Sequence, residues 1–145
     1  MRKEMVKIIT VEKSISAEKD CGIINITETI EEELNKTGLR EGQVLIFTVG
    51  STSGVSTIEY EPNLVKDFKE IIEDIIPKNR SYHHDYTWHD ANGFSHLRST
   101  FIKTSLVVPF KEGHLLLGTW QQIVIINFDN HRRQRRYILQ FIGKD

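Results

Sequence analysis

From Ser105 to Ile142 the chain offers four apolar, β-branched runs joined by connections too short to carry it across a sheet. Ser105 to Phe110 and His114 to Leu117 flank the turn Lys111-Glu112-Gly113, Gln121 to Phe128 follows, and Arg136 to Ile142 closes the series after Asp129-Asn130-His131. Parallel neighbours need a long crossover, whereas antiparallel ones are joined by tight turns. The closing segment therefore reads as an antiparallel β-meander. Its last strand alternates Tyr137, Leu139 and Phe141 against Ile138, Gln140 and Ile142, the period of a pleated strand.

The elements upstream fit the same class. Val6 to Val11, Gly22 to Ile26, Gln43 to Val49 and Val55 to Tyr60 read as strands. Thr29 and Glu32 have the spacing of a capping box, Ile30 and Leu34 share a face, and Gly38 suits a C-terminal cap, so residues 29–37 are expected to form a short helix. Pro62 suits the first turn of a second helix. Leu64, Val65, Phe68, Ile71, Ile72, Ile75 and Ile76 recur at helical spacing and predict a core-facing stripe that Pro77 ends. Ser95 to Phe101 is expected to add one or two helical turns. Together these predict a compact α+β fold with two main helices and largely antiparallel sheets, organised as one domain over residues 1–145. The run Ile123-Val124-Ile125-Ile126 needs cover on both faces, more than two helices supply, which predicts contact with neighbouring subunits.

Composition narrows the function classes. At 39% hydrophobic and 27% charged residues the chain is globular, and its net charge of −1 gives no overall field toward nucleic acid or an anionic membrane. No apolar segment approaches the roughly 20 residues that cross a bilayer. The start, Met1-Arg2-Lys3-Glu4, places charge where a secretory signal needs an apolar run. With Cys21 as the sole cysteine, a cytoplasmic protein is expected. Arg132, Arg133, Arg135 and Arg136 form the one basic run. No aromatic stacking set accompanies it, so it reads as a solvated hairpin turn or a salt-bridged subunit contact rather than an RNA site.

The chemistry concentrates elsewhere. Four of the six histidines, His83, His84, His89 and His96, fall in one short segment with Asp85, Asp90 and Asn92. Neutral imidazole binds borderline metals and moves protons near neutral pH. His84, Asp90 and His96, with His89 nearby, are candidate ligands for a divalent cation, Zn²⁺ or Mg²⁺. In an extended segment the adjacent His83 and His84 point to opposite faces, so one at most faces a shared centre. Gly50-Ser51-Thr52-Ser53-Gly54 has the two glycines and three hydroxyls of an anion-binding turn, or of an ordinary β-turn; no Gly-Lys-Ser/Thr follows to make it a P-loop. Arg98, two residues beyond His96, is a candidate phosphate clamp. Glu59 ends its strand as a candidate general base or a plain solvent-facing carboxylate. Thr119 and Gln121 follow a Gly-containing break that turns them toward a ligand or marks a bulge.

An ordered string of motifs gives these residues a context. His84, then Trp88-His-Asp-Ala-Asn-Gly-Phe-Ser-His-Leu-Arg98, Ser105-Leu-Val-Val-Pro109, Gly118-Thr-Trp-Gln-Gln122 and Phe128-Asp129, with Ser51-Thr-Ser-Gly-Val-Ser-Thr-Ile-Glu59 upstream, resemble the YjbQ-like family. That family is also known as the secondary thiamine-phosphate synthase enzyme family. The resemblance implies an antiparallel α+β fold, a homotrimer, and a His/Asp/Glu cleft suited to a metal and a phosphorylated metabolite. Carried onto this chain it marks Glu59, His84, Asp90 and His96 as catalytic or metal-holding. Ser51, Thr52, Ser53, Asn92, Arg98, Thr119 and Gln121 are then the ligand-binding positions. The implied reaction joins a hydroxymethylpyrimidine diphosphate to a thiazole phosphate and releases pyrophosphate, with His96 as a general acid; the alternative is a non-catalytic metal- or phosphometabolite-binding protein. The chain departs from many relatives at Ser51, where they have His, and at Ile58, where they have Asn.

Overall fold

The computed structural model describes residues 5–145; Met1 to Glu4, the charged start noted above, lie outside the described residues. The elements run β1 (Lys7–Ala17), β2 (Gly22–Asn25), α1 (Thr27–Thr37), β3 (Glu41–Thr48), β4 (Ser53–Glu59), α2 (Pro62–Ile75), α3 (His83–Trp88), α4 (Gly93–Ile102), β5 (Ser105–Lys111), β6 (His114–Leu115), β7 (Gln121–Asn127) and β8 (Arg133–Lys144). They build a five-stranded sheet, β1-β8-β3-β5-β6, and a three-stranded sheet, β2-β7-β4. Every pairing is antiparallel, so the α+β expectation holds.

The closing strands do not form one meander. β7 leaves the large sheet and inserts between β2 and β4, while β8 pairs with β1 and β3. The burial pattern gives the reason. From Ile123 to Asp129 every residue is buried, so β7 needs protein on both faces, and the centre of the small sheet supplies it. On one side Ile123, Ile125 and Val55 meet Val44, Ile46, Leu139 and Phe141 of the large sheet, together with Ile30 and Leu34 of α1. On the other side Val124 and Ile126 meet Ile72, Ile76, Phe94 and Phe128. The chain covers this strand itself, so the surface left for neighbouring subunits is not on β7.

One uncovered apolar surface is the outer face of the large sheet. Residues directly opposite one another share a face. The pairs Leu45↔Val107, Phe47↔Ile138 and Ile8↔Ile142 therefore lie together there. Ile8, Phe47, Val107 and Leu116 are exposed.

Helix boundaries depart from the sequence reading for local reasons. α1 starts two residues before Thr29, without the Thr29–Glu32 box. Asn25 Oδ1 accepts from the Thr27 amide and hydroxyl instead, and that hydroxyl accepts from the Ile123 amide, tying the helix start to β7. Gly38 closes it in the left-handed conformation, φ 72°. α2 begins at Pro62 as expected, and the Glu61 carboxylate accepts from the Asn63 and Leu64 amides. Its stripe is only partly inserted. Ile72 is buried, while Leu64, Ile71 and Ile75 stay exposed, and a gap of about 420 Å³ remains between the helix and the small sheet.

Beyond the one or two turns expected from Ser95 to Phe101, residues 83–102 form two helices in sequence. Asp85 organises the junction: its carboxylate accepts from the Tyr82 amide at 3.0 Å and from the Gly93 amide at 3.3 Å. His89 and Ala91, both at φ 54°, break the backbone between them. Among the described residues no helix is long and apolar enough to cross a membrane.

Candidate functional site

The α3–α4 junction brings His84 and His96 together, with ring centroids 4.4 Å apart and planes tilted by 36°. His84 Nδ1 lies 3.7 Å from Asp90 Oδ1 and is sealed from solvent without a hydrogen-bond partner. Helical geometry settles which neighbour faces inward: His83 is exposed against Tyr86 at 6.1 Å, while His84 is half-buried. Ligand atoms of His84, Asp85 and Asp90 lie within 4.8 Å of one another, so Asp85, which sequence reasoning left out, joins the expected set while His96 stands beside it. His89 ends α3, exposed, and is not in that group.

Burial lowers the pKa of His96 from 6.5, and the neighbouring His84 adds to the shift; Asp90, Asp129 and the Ser51 backbone act the other way. His96 is therefore neutral near pH 7 and suited to accept a proton. The general-acid role implied by the resemblance would instead draw on its protonated minority form. Cys21 is buried and its thiol is pushed up to about 11, which leaves it without nucleophilic character.

Asp129 is the buried anchor that the candidate residues did not include, although Phe128-Asp129 stood among the motifs. Its Oδ2 accepts from Thr52 Oγ1 at 3.0 Å and Asn92 Nδ2 at 3.3 Å, with Arg133 Nε at 3.2 Å. Burial works to raise this carboxyl, but the hydrogen bonds from Thr52 and Asn92 and the charge of Arg133 outweigh it and hold it below 3.8. Asn92 is thus committed to the scaffold; its Oδ1 accepts from Ser95 Oγ and the Asn130 amide. Thr52 and Ser53 are likewise buried, and Ser53 Oγ bonds Thr48 Oγ1 at 2.8 Å. Of the three hydroxyl residues in the turn, only Ser51 is exposed.

Two arginine assignments change. Arg98 is 2% exposed and faces the interior. It donates twice to the Ile76 carbonyl, once to the Asp20 carbonyl, and pairs with Glu73 at 2.6 Å, so all three of its nitrogens are engaged and it joins α4 to the end of α2. Within the basic run Arg135 is buried rather than solvated, and donates to Asn127 Oδ1 and to the Thr52 carbonyl and hydroxyl.

Glu59, Thr119 and Gln121 gather elsewhere. Glu59 pairs with Gln121 at the far end of β4, whereas Ser53 pairs with Asn127 at the histidine end. Six residue steps along a strand put about 20 Å between those ends. Glu59 and Thr119 border a pocket of about 470 Å³ with Trp120 and Gln122. Gln121 Oε1 accepts from the Gly118 amide and its Nε2 donates to Thr57, which closes that turn. The expected site thus separates into two groups within one chain.

Comparison with known proteins gives this arrangement a lineage. The family model described as UPF0047 protein YjbQ-like matches residues 11–144. A UPF0047 protein of Archaeoglobus fulgidus is 35% identical over 125 residues, covering 86% of this chain and 95% of that one. The UPF0047 protein YugU of Bacillus subtilis is 31% identical over 118 residues, covering 80% and 86%. The crystal structure of a YbjQ-like protein of unknown function from Sulfolobus solfataricus superposes with a TM-score of 0.90 at 29% identity, covering 96% of this chain and 99% of that one. A hypothetical protein of Aeropyrum pernix superposes at 0.85, also at 29% identity, covering 93% and 98%. With the family model matched over nearly the whole sequence and the same fold in these relatives, the chain belongs to the UPF0047 YjbQ-like family.

Proposed function

We propose that this chain is an enzyme acting on a phosphorylated small molecule, with the His84–Asp90–His96 cluster as its reactive centre. One observation carries the reading: a sealed, unpartnered imidazole nitrogen on His84 faces Asp90 beside a second imidazole whose proton affinity is depressed. A buried polar atom without a partner is costly, and a ligand supplies the missing contact. The donor set of one imidazole nitrogen and two carboxylates fits a divalent cation, with His84, Asp85 and Asp90 holding it. Such an ion offsets phosphate charge when bound. His96, neutral and adjacent, accepts a proton where the attacking group carries one, which a thiazole ring nitrogen does not, and Asp129 fixes the Thr52 and Asn92 frame around it.

The family resemblance supplies one concrete substrate pair, a hydroxymethylpyrimidine diphosphate and a thiazole phosphate. In that coupling a C–N bond forms as the C–O bond to the diphosphate breaks, and pyrophosphate departs with the electron pair. A homotrimer belongs to the proposal, because the bare face around Leu45, Phe47, Val107 and Ile138 is the kind of apolar patch that a second copy covers. So does a cytoplasmic setting, given the single buried thiol.

The test is a phosphometabolite panel that includes this pair, run on metal-analysed protein. Turnover lost on His96→Ala with the fold intact supports the assignment. Unchanged turnover in that variant refutes it. Retained metal with no turnover across the panel points to the binding-protein alternative, and a monomer in light scattering at micromolar concentration removes the trimer.

A further inference from the structure

The residues that follow α4 face the Gly50–Ser51 turn across a pocket of about 340 Å³, bordered by Gly50, Ser51, Lys103, Thr104 and Ser105 with Ser99 and Thr100. Its lining contains no carboxylate. The Ser99 and Thr100 hydroxyls are engaged, donating to the Ser53 and His96 carbonyls. Those of Ser51, Thr104 and Ser105 make no hydrogen bond to the described residues, and the Lys103 ammonium forms no ion pair with them.

Lys103 is the informative residue. It has φ 86° and ψ 160°, backbone that favours glycine, yet the position holds a long cation. A second cation stands close by. Arg135 is 6% exposed, and its Nη1 is the one guanidinium nitrogen without a partner. A methyl group on Gly50 would come within 3.1 Å of that nitrogen. Neither cation is sealed off as a buried orphan. The pocket also adjoins the reactive histidines: Thr100 bonds the His96 carbonyl, and the Ser51 backbone acts on the His96 ring.

We propose that this pocket is the subsite for a phosphoryl group, with Lys103 as its counter-charge and the Ser51, Thr104 and Ser105 hydroxyls as donors. It replaces Arg98 in that role, and it deepens the functional reading above, resting on its premise of a phosphorylated substrate. One lining cation and three free hydroxyls without an acid, with Arg135 close behind Gly50, select an anion, and the volume accommodates a phosphate with part of what it carries.

The experiment titrates the full chain with inorganic phosphate at low ionic strength, read by ³¹P NMR and calorimetry. Wild type is expected to bind at one saturable site. Lys103→Gly should weaken binding about tenfold, the worth of roughly one charge-assisted contact. It should leave the fold at least as stable, since glycine relieves the backbone. Ser51→Ala/Ser105→Ala should weaken binding as well, while Lys66→Gln, an exposed cation on α2, should leave it unchanged. Absence of saturable binding, or wild-type affinity in both pocket variants, overturns the proposal. Phosphate binding that follows this pattern while the metabolite panel gives no turnover upholds the pocket and removes the enzymatic reading.

Discussion

His84 and His96 face one another with ring centroids 4.4 Å apart, one carried on α3 and the other on α4. Two positive rings at that distance repel, so protonation of one opposes protonation of the other. The pair acts as a unit, and its electrostatics depend on how the two helices meet.

The first prediction concerns that coupling. His96 should titrate below 6.5, because burial and the His84 charge both disfavour its protonated form. His84→Ala should raise the midpoint part of the way, leaving the contribution of burial. The sign for stability follows from linkage. The unfolded chain takes up a proton near 6.5 that the folded chain refuses, so this contribution is complete above that pH and declines as pH falls toward the folded value. Histidine ring NMR across pH 4–8 measures the midpoint; a value at or above 6.5 contradicts the neutral-imidazole role.

Arg98 should prove to be a stability residue. Arg98→Met leaves the Ile76 and Asp20 carbonyls without their donors, and a loss of about 3 kcal/mol is expected from one buried and one part-buried acceptor. Lysine should not rescue it, since one ammonium cannot reproduce the planar set of donors. Glu73 is half exposed, so Glu73→Gln should cost less than about 1 kcal/mol. Urea denaturation measures all three. Phosphate affinity of the folded fraction should not change in any of them, whereas a clamp would lose affinity first.

Asp129 predicts an acid-sensitive frame. Its carboxyl is held below 3.8, so the stability it contributes is present above that pH and disappears as pH falls through the lowered folded value. Asp129→Asn should be less stable than wild type at neutral pH, and the difference should narrow in strong acid. Unfolding midpoints for both proteins at several pH values test this; a gap that stays constant into acid contradicts the assignment.

Where local chemistry governs, the sequence could be read. Pro62 and Gly38 mark helix ends because their backbone preferences act within a few residues, and β8 alternates because one of its faces looks outward. Partner choice was not legible. Nothing local tells β7 to leave β6 for β2 and β4; that follows from a burial demand on both faces that only the assembled layers meet. The site divides in the same way. The crowding of histidines marked His84, Asp90 and His96, but Arg98 looked like an anion ligand because its partners, the Ile76 and Asp20 carbonyls, carry no side-chain signature. Lys103 was invisible as a site residue for a related reason: its distinction is a backbone angle.

Gly93→Ala tests whether the helix junction holds the site together. At an unobstructed helical position alanine would be favoured by roughly 0.5–1 kcal/mol. Here its Cβ would stand 2.7 Å from Tyr82 Cβ and 3.2 Å from Cγ. Tyr82 cannot easily retreat, because its hydroxyl donates to the Pro77 carbonyl at 2.6 Å and its ring packs in the core beneath α2 and α4. The clash should therefore win, with a net loss of about 1–3 kcal/mol typical of overpacking. Because the Gly93 amide also donates to Asp85, relief by movement of α3 should pull His84 away from His96. The expected result is lower stability together with a His96 midpoint shifted upward, as in His84→Ala. A variant as stable as wild type with an unshifted midpoint would show that the junction does not set the histidine geometry.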